Sequence, residues 1–563
     1  MMTVFPSPEL YKKSYPQGVQ WDAPIPSYPV FHMLDETSRR YGHAPAIDFL
    51  GHRMTWGEIH DASLRLARGL QDRGIGKGHR VGIFLPNSPY FIIAYYAIVR
   101  TGATAVNYNP LYSEKELIHQ INDSATDTMI TADLELLYGK MKQVIGKTTL
   151  ERLIVCRFTD ILPFPKNILF PLLKGKDLAK VETSHSIEWY EDVIDHNRMP
   201  EPVDIDPVND VALLQYTGGT TGTPKGAMLT HQNIVANTLQ CALWLSGVEK
   251  GRDKMLGVLP FFHVFAMTTV MNFSVLNALE IVCLPRFELD ATLKLIHKKK
   301  PQYFPAVPAI YNAINHHKKL DTFDLHSLKA CISGGAPLPV EVKKSFEKNT
   351  GCVVVEGYGL TESSPVVSAN PLVGLNKPGS IGLPFPGTIV EIIDPDDKKT
   401  PVALGERGEL CVRGPQVMKG YWNKPEETEN VLRGGLLYTG DVAIMDEDGY
   451  LFIVDRIKDM IITNGYNVYP RNVEEAIYQH DSVEECIVAG IPDEGRGEIV
   501  KAWIKLKEGE KLSVEALKEF LSHRIAPMEM PRQVEFRDKP LPKTMIGKLS
   551  RKDILAEEKA KKG

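Results

Sequence analysis

Apolar and polar positions along the chain up to about Gly379 predict strands and helices that follow one another. The segment RVGIFLP predicts a buried strand, and the segment YFIIAYYAIVRTG predicts an apolar helix that ends at Gly102. The next segment, ATAVNYNP, predicts another strand. A strand, a helix and a strand in succession predict a parallel βαβ unit, because parallel strands need a crossover connection.

The same alternation recurs further along the chain. KMLGVLP, LEIVCLP and LKACISGG predict strands, whereas DATLKLIHKKK and PVEVKKSFEKNTG predict helices. Near the N-terminus, Thr55 and Glu58 form a predicted capping box in front of apolar residues at helical spacing. The sequence therefore predicts an α/β fold whose large N-terminal domain consists of βαβ-type subdomains.

The pattern changes after Gly379. The short segments TIVEIIDPDD, GELCVRG and GYLFIVDR predict β-strands separated by turns, and hence a small β-barrel over about residues 379–455. Beyond Lys458, a helix (NVEEAIYQH), two strands and a helix opened by Ser513 predict a small α+β domain. We expect an N-terminal domain over residues 1–457 and a C-terminal domain over residues 458–563.

The composition narrows the function classes. The 563 residues exceed what one core supports, and a net charge of −5 gives no reason to expect a nucleic acid partner. The seven cysteines form no Cys-x-x-Cys pair, which predicts free thiols in a reducing compartment. The N-terminus lacks a signal-peptide pattern, and no apolar run reaches the ~20 residues of a transmembrane helix. These features predict a cytoplasmic protein.

The segment ILPFPKNILFPLL around Phe164 is apolar, is interrupted by prolines and is followed by KGKDLAK. This pattern favours a buried loop. The alternative is a surface patch that enters a membrane interface while its lysines face anionic head groups. A peripheral contact with the inner face of the membrane is therefore a hypothesis, as is a homodimer.

The segment YTGGTTGTPKG, from Tyr216 to Gly226, combines glycines, threonines and Lys225. Glycine permits the backbone conformations that aim several N–H groups at one anion, so this composition predicts a phosphate-binding loop. The segment matches neither the P-loop NTPase pattern nor the dinucleotide-binding pattern. A flexible surface loop is the alternative.

This segment and four others resemble, in order, the signatures of the adenylate-forming superfamily, which includes acyl-CoA synthetases, non-ribosomal adenylation domains and luciferases. The others are GYGLTESSP, YTGD, DRIKDMIITNGYNVYPRNVE and LPKTMIGKLSR. Within that superfamily, VLPFFHVFAMT and GPQVMKGYWNKPEET are similar to segments of bacterial long-chain fatty acid–CoA ligases. The resemblance covers nearly the whole chain and implies ATP, Mg²⁺ and coenzyme A as cofactor and co-substrates.

The resemblance also implies a nucleotide site. It places Tyr358 and the segment SGGAP around adenine, Asp441 and Arg456 at the ribose, and Thr217 with Glu362 at Mg²⁺. The ATP- and AMP-binding set that it implies is Tyr216, Thr217, Gly218, Gly219, Thr220, Thr221, Gly222, Thr223, Pro224, Lys225, Gly226, Gly334, Gly335, Ala336, Glu356, Gly357, Tyr358, Gly359, Asp441, Ile453 and Arg456.

The implied chemistry has two steps. The carboxylate of the substrate attacks the α-phosphorus of ATP, and no general base is needed since such an acid, with a pKa near ~4.3, is already ionised. The resemblance implies that Lys548, Thr361 and Glu362 stabilise the negative charge in this step. For transfer to coenzyme A it implies that the C-terminal domain is mobile and rotates about a hinge at Lys458, and that Gly465 and Tyr466 line a channel.

The resemblance places the acyl pocket at His263 and Val264, and the apolar segment that includes Tyr303 and Pro305 is expected to continue its wall. The stretch FFHVF contains no Asp to bind an ammonium group, which favours a hydrocarbon tail; a core histidine is the alternative for His263. We expect a fatty acid–CoA ligase. A medium-chain or aryl acid–CoA ligase, an acyl-AMP ligase without the CoA step, and a catalytically silent nucleotide sensor are the alternatives.

Overall fold

The computed structural model describes residues 5–217, 224–463, 466–493, 496–544 and 548–562. Its first 250 or so residues contain nine strands and nine α-helices. The strands are β1 Pro45–Phe49, β2 His52–Thr55, β3 Arg80–Phe84, β4 Thr104–Asn107, β5 Thr128–Ala132, β6 Arg152–Cys156, β7 Ile187–Trp189, β8 Val211–Tyr216 and β9 Gly226–Thr230. The helices are α1 Pro8–Tyr11, α2 His32–Tyr41, α3 Trp56–Asp72, α4 Pro89–Arg100, α5 Glu114–Ser124, α6 Glu135–Val144, α7 Lys166–Lys174, α8 Tyr190–Ile194 and α9 His231–Trp244.

The next part of the chain continues the alternation and then turns to short strands. The strands are β10 Lys254–Gly257, β11 Glu280–Cys283, β12 Tyr303–Ala306, β13 Ala330–Ser333, β14 Val353–Gly359, β15 Val366–Ala369, β16 Leu383–Pro384, β17 Ile389–Ile393, β18 Gly408–Arg413, β19 Gly420–Tyr421, β20 Leu432–Arg433, β21 Leu436–Met445 and β22 Leu451–Arg456. The helices are α10 Val264–Ala266, α11 Phe273–Asn277, α12 Leu289–Lys299, α13 Pro308–Asn315, α14 Val340–Thr350 and α15 Pro425–Val431, with a π-helical stretch Met267–Asn272.

The C-terminal part forms a separate unit. Its elements are β23 Ile461–Thr463, β24 Tyr466–Val468, α16 Pro470–Tyr478, β25 Val483–Asp493, β26 Gly497–Leu506, α17 Val514–Ser522, β27 Gln533–Phe536 and α18 Arg551–Lys562. The strands form one sheet, in the order β24-β23-β26-β25 with β27 on β26, over a hydrophobic cluster of their own. A division of the chain at Lys458 stays a prediction that is compatible with this core.

Two large sheets dominate the N-terminal part. One has eight strands in the order β19-β9-β8-β4-β3-β5-β6-β7, and the other has nine in the order β16-β15-β14-β13-β12-β10-β11-β1-β2. The predicted βαβ unit is confirmed, because β3 and β4 pair in parallel across the almost wholly buried α4. The segment predicted as a small β-barrel forms an antiparallel five-stranded sheet, β17-β18-β21-β20 with β22 on β21.

Local signals at helix starts are confirmed. The Glu58 backbone N–H donates to Thr55 Oγ1 over 3.2 Å, and the Thr55 N–H donates to Glu58 Oε2 over 2.7 Å. Ser513 caps α17 by accepting from the Ala516 N–H over 3.1 Å. All seven cysteines are free and buried, as expected.

The segment around Phe164 differs from the preferred prediction of a buried loop. It forms α7, in which no residue is buried. Phe164, Leu172 and Leu173 are 79%, 76% and 78% exposed, while Phe170 anchors the helix against Phe158 at a ring-centroid distance of 5.2 Å. The prediction was wrong because Phe170 packs inward while most of the other apolar side chains of the segment stay exposed.

Candidate active site

A cavity of about 2910 Å³ lies where the carboxyl ends of parallel strands from both large sheets face the C-terminal unit. Ligands bind at this edge of open α/β sheets. The structure brings most of the predicted residues to its walls: Tyr216, Thr217, Pro224, Lys225, His263, Val264, Gly334, Gly335, Ala336, Glu356, Gly357, Tyr358, Gly359, Thr361, Glu362, Asp441, Ile453, Arg456, Lys458 and Lys548.

Some predicted residues are not among these walls. Gly218, Gly219, Thr220, Thr221, Gly222, Thr223 and Gly465 lie outside the described residues. Gly226 is the first residue of β9 and does not line the cavity; a Cβ there would lie 3.2 Å from the Tyr216 ring. The Tyr216 ring therefore occupies the space where a side chain of residue 226 would lie, and a role of Gly226 in nucleotide binding stays a prediction.

Asp441 lies at the centre of a polar cluster at one end of the cavity. It pairs with Arg456 across β21 and β22, and Arg456 Nε lies 2.9 Å from Asp441 Oδ1. The Tyr358 hydroxyl donates to Asp441 Oδ2 over 2.5 Å. Burial, followed by the Asp441 charge, raises the pKa of Tyr358 well above its usual value, so this hydroxyl remains a donor. Tyr358 and Arg456 hold the Asp441 carboxylate in a fixed orientation, suited to accepting ribose hydroxyls.

The glycine turn after β13 brings two neighbours close to the backbone. A Cβ on Gly334 would lie 2.9 Å from the Phe265 ring, and a Cβ on Gly335 would lie 2.8 Å from Lys548 Cε. Gly335 also has φ of +81°, a conformation that favours glycine. The turn is therefore shaped by the aromatic residue on one side and the C-terminal lysine on the other.

Lys548 reaches this turn from the C-terminal unit. Its backbone N–H donates to Thr544 Oγ1 over 3.2 Å, and its carbonyl accepts from the Thr544 N–H over 2.6 Å. Burial, and then the Arg456 charge, lowers the pKa of Lys548 to about 8, while Asp441 acts in the opposite direction. The structure thus places a buried ammonium group beside the predicted nucleotide site, and the Asp441 charge only partly offsets the effect of burial on its pKa.

Glu362 and Lys225 define another end of the cavity. Glu362 lies in a 3₁₀ turn, Thr361–Ser363, and its Oε1 accepts from the Tyr421 hydroxyl over 2.5 Å. Lys225 forms an ion pair with Glu427, and its Nζ lies 4.9 Å from the centroid of the Tyr421 ring. Burial, and then Glu362, raises the pKa of Tyr421.

Sequence reasoning missed Tyr421, Glu427 and Asp123. The first two lie in GPQVMKGYWNKPEET, a segment that served only as a sign of family likeness. An aromatic hydroxyl and an acidic pair inside such a segment were the available signal. Asp123 accepts from the Tyr216 hydroxyl over 2.6 Å and carried no sequence signal, because it lies at the end of an ordinary amphipathic helix.

The side chains fit Mg²⁺ bound together with a nucleotide. Within the described ranges, no group of three or more His, Cys, Asp or Glu side chains forms a metal cage. Mg²⁺ in nucleotide sites uses one or two carboxylates plus phosphate oxygens and water. The Glu362 carboxylate and the Thr217 hydroxyl, both on the cavity wall, match that small donor set.

His263 is held in one tautomer. Its Nδ1 accepts from the Phe265 N–H over 3.2 Å, so the proton of the neutral ring is on Nε2. Burial, and then Lys548, lowers the pKa of His263 to about 3, which keeps the ring neutral. Apolar side chains continue the wall beside it, from Phe262, Val264, Phe265, Pro308, Ala309 and Ile332.

The structure does not place Tyr303 or Pro305 on this wall. Both belong to β12, and Tyr303 is its first residue, at the end opposite the cavity edge. The Tyr303 hydroxyl donates to Asp253 Oδ2 over 2.9 Å. The correction is a matter of strand direction, since residues after the strand, at the start of α13, form the wall instead.

Glu356 is buried on the cavity wall. It accepts from the Leu338 N–H over 3.1 Å at Oε1. Burial raises the pKa of Glu356 to about 7, and Arg471 of the C-terminal unit is the strongest of the groups that lower it. The charge of Arg471 in the C-terminal unit therefore favours the ionised form of this carboxyl group.

The segment around Lys458, the predicted hinge, is bonded to the C-terminal unit through buried charged groups. Lys458 lies in the 3₁₀ turn Ile457–Asp459 and lines the cavity. Buried Asp455 accepts from the Arg471 N–H over 2.7 Å, and Arg551 Nη1 lies 3.2 Å from Asp459 Oδ2 and 3.8 Å from Asp455 Oδ1. These contacts connect the segment around Lys458 to the helix that follows Lys548.

Tyr466, predicted for the coenzyme A channel, is 57% exposed on β24 and does not line the cavity. The orientation of the C-terminal unit in this structure therefore presents Lys548 to the cavity and leaves the Tyr466 side chain in solvent.

Family models match two parts of the chain: AMP-binding enzyme over residues 34–422, and AMP-binding enzyme C-terminal domain over residues 472–548. The long-chain-fatty-acid–CoA ligase of Bacillus subtilis (strain 168) is 46% identical over 550 residues, covering 97% of each chain. The solved structure of ATP-bound MatB from Rhodopseudomonas palustris has 27% identity and a TM-score of 0.82, covering 95% of this chain and 99% of its own. That of the anthranilate CoA ligase AuaEII with anthranoyl-AMP has 25% identity and a TM-score of 0.83, covering 96% and 99%.

Proposed function

The chain belongs to the AMP-binding enzyme family, and from this premise we propose that it is an ATP-dependent long-chain-fatty-acid–CoA ligase. It converts a fatty acid and ATP into acyl-AMP and pyrophosphate, and then transfers the acyl group to coenzyme A. One observation carries the proposal. Lys548 of the C-terminal unit meets the Gly335 turn and the Asp441–Arg456 pair in one cavity, as adenylation requires.

In the first step the carboxylate oxygen of the acid attacks the α-phosphorus of ATP, and pyrophosphate leaves. The ionised acid needs no base, so the barrier is the approach of an anion to a polyanion. Protonated Lys548 stabilises the charge that develops there, while Asp441 and Arg456 fix the ribose. Tyr358 and the turn at Gly334 hold the adenine between them.

Glu362 and Thr217 would hold Mg²⁺, and Thr361 is the proposed phosphate contact beside them. When bound, the ion neutralises phosphate charge and orients the departing pyrophosphate. Glu362 is ready for that role, because its carboxylate is fixed by the Tyr421 hydroxyl.

The second step needs a different face of the C-terminal unit. In the described orientation Lys548 fills the position beside Gly335 while the Tyr466 side chain is in solvent. We assign the hinge to Lys458, so that rotation withdraws Lys548 and brings Gly465 and Tyr466 towards the acyl-AMP. Hinge positions are a few residues that absorb backbone rotation and need not be glycine.

The acyl group is proposed to lie along Phe262, Val264 and Phe265, beside neutral His263. These walls are apolar, and burial keeps His263 uncharged, so a hydrocarbon chain is favoured over a charged side chain. This supports a fatty acid over a small polar acid.

An assay across straight-chain acids from C2 to C18 and several aryl acids tests the substrate class. Pyrophosphate release and coenzyme A consumption, measured in parallel, should both be highest for long-chain acids. Highest activity with an aryl or medium-chain acid would contradict the proposal. Pyrophosphate release without coenzyme A consumption would indicate an acyl-AMP ligase. The absence of both pyrophosphate release and coenzyme A consumption would indicate a nucleotide sensor.

We also propose that α7 makes a peripheral contact with the membrane. Ile168, Leu172 and Leu173 expose apolar side chains, and lysines at positions 166, 174, 176 and 180 flank them. Burying one leucine side chain is worth roughly 1.5–3 kcal/mol, and each lysine near an anionic surface adds about 1 kcal/mol. Within the described ranges, no helix is both long and apolar enough to span a bilayer.

Co-sedimentation with phosphatidylglycerol vesicles tests this contact. The wild-type protein should sediment with these vesicles and much less with phosphatidylcholine, and the double variant L172D/L173D should lose binding. The matched control V373D/L375D changes two other exposed apolar residues and should bind normally. If α7 instead packs against a second copy, sedimentation velocity will show a dimer that the α7 variant dissociates.

A further inference from the structure

The segment from Gly420 to Glu427 crosses the end of the cavity that holds Glu362 and Lys225. Its short strand β19 pairs with β9, where Tyr421 lies opposite Ala227. The Trp422 N–H donates to the Gly226 carbonyl over 2.8 Å. The segment is thus fastened to the strand that follows Lys225 in the sequence.

Tyr421 is fixed at both its backbone and its hydroxyl. Its N–H donates to Thr428 Oγ1 over 2.9 Å, its ring is buried, and its hydroxyl donates to Glu362 Oε1 over 2.5 Å. The Met418 N–H donates to the Glu362 carbonyl over 2.8 Å. Met418, just before the segment, therefore restrains the backbone of Glu362, and Tyr421 within the segment restrains its carboxylate.

Glu427 acts on the cation of the same site. It lies in the first turn of α15 and forms an ion pair with Lys225, whose Nζ also lies 4.9 Å from the Tyr421 ring centroid. The two side chains are 47% and 30% exposed, so the pair is accessible to a competing anion. Half-exposed ion pairs are weak, and a polyphosphate carrying several charges can displace the carboxylate.

Resting on the proposed function, we propose that Tyr421 and Glu427 are positioning residues for a magnesium-bound polyphosphate. Tyr421 orients the Glu362 carboxylate, whereas Glu427 holds Lys225 until phosphate oxygens replace it. Glu427 then competes again as pyrophosphate leaves. The two residues therefore have opposite effects on binding: Tyr421 strengthens it, and Glu427 weakens it.

Pyrophosphate binding to the whole protein, measured by titration calorimetry in the presence of Mg²⁺, tests Glu427. Glu427→Gln removes the charge and keeps the shape, so pyrophosphate should bind about two- to fivefold more tightly. Glu426→Gln is the matched control, since that neighbouring side chain is exposed and has the same charge. In a Lys225→Ala background the difference between the two variants should disappear.

Mn²⁺ binding in the presence of ATP, measured by electron paramagnetic resonance, tests Tyr421 without any turnover. Tyr421→Phe keeps the ring over Lys225 and removes only the hydroxyl, so Mn²⁺ should bind about tenfold more weakly. Tyr450→Phe is the control, because it loses a hydroxyl that donates to a backbone carbonyl elsewhere.

The inference is overturned if Glu427→Gln binds pyrophosphate no more tightly than Glu426→Gln, or if the difference persists without Lys225. It is also overturned if Tyr421→Phe binds Mn²⁺ as Tyr450→Phe does. Its failure is distinct from failure of the proposed function, which would appear as a wild-type protein that makes no acyl-AMP from any fatty acid. Because Glu427 is half-exposed, its arm of the test does not depend on whether Tyr421→Phe folds.

Discussion

Lys548 offers a test in which pH and substitution give separate answers. Burial and the Arg456 charge lower its pKa from 10.5 to about 8 in the described orientation. The side chain is then about 90% protonated at pH 7 and about 10% protonated at pH 9. If the ammonium stabilises the charge that develops on the α-phosphate, acyl-AMP formation should fall by about tenfold per pH unit well above pH 8.

The expected loss of activity at alkaline pH follows from deprotonation of Lys548. The ammonium is the active form and predominates below pH 8, so the rate of acyl-AMP formation should fall as the pH rises through that value. The dependence of kcat/KM for ATP on pH reports the free enzyme and should show this limb. Thioester formation from supplied acyl-AMP should lack it, because Lys548 has then left the cavity.

Substitution separates the charge from its titration. Lys548→Ala should slow acyl-AMP formation ~10²–10³-fold, or about 2.7–4 kcal/mol, and abolish the alkaline limb. Lys548→Arg keeps a positive charge that does not titrate in this range, so the limb should vanish while some rate is retained. Single-turnover formation of acyl-AMP and of acyl-CoA, each followed from pH 6.5 to 9.5, measures both halves.

Two results would refute this reasoning. An alkaline limb that survives in Lys548→Arg would assign the titration to another group. An equal loss in both half-reactions of Lys548→Ala would show that the lysine does not leave the cavity between them.

Three further predictions concern the hinge, the glycine turn and the buried carboxyl group. Lys458→Pro should trap one orientation and slow one half-reaction far more than the other; unchanged overall turnover would exclude a hinge there. Gly335→Ala should slow acyl-AMP formation by displacing Lys548, whereas Gly405→Ala, with a similar φ of +84° but open space, should not; equal effects would show that backbone strain is responsible. Because burial raises the pKa of Glu356 from 4.5 to about 7, the protein should lose about 3 kcal/mol of stability as the pH rises from 4.5 to 7. Glu356→Gln should flatten that slope in denaturant melts at pH 4.5–8, and an unchanged slope would contradict the shift.

Much of the fold could be predicted from the sequence, because its signals are local. The alternation that predicts β3, α4 and β4, and the cap at Ser513, depend on neighbours along the chain. The fate of α7 could not be predicted in the same way. Whether an apolar stretch is covered depends on how much surface distant segments supply, and here Phe164, Leu172 and Leu173 stay exposed.

The candidate site shows the same division. The resemblance to family motifs pointed to Asp441 and Lys548, and the fold brings both to one cavity. Tyr303 was misplaced because the expectation concerned a segment and not the direction in which its strand runs. Tyr421 and Glu427 were missed because their partners, Glu362 and Lys225, lie 59 and 202 positions away along the chain.

The Asp455 carboxylate is shielded from dissolved ions by the protein around it. It is buried, and its contacts with the Arg471 N–H and the Arg551 guanidinium join the two sides of the proposed hinge. Debye screening acts on exposed charges and much less on buried ones. Added salt should therefore weaken the capture of ATP from solution and leave the preference between the two orientations nearly unchanged. The timing of the proposed rotation should therefore not depend on the ionic strength of the medium.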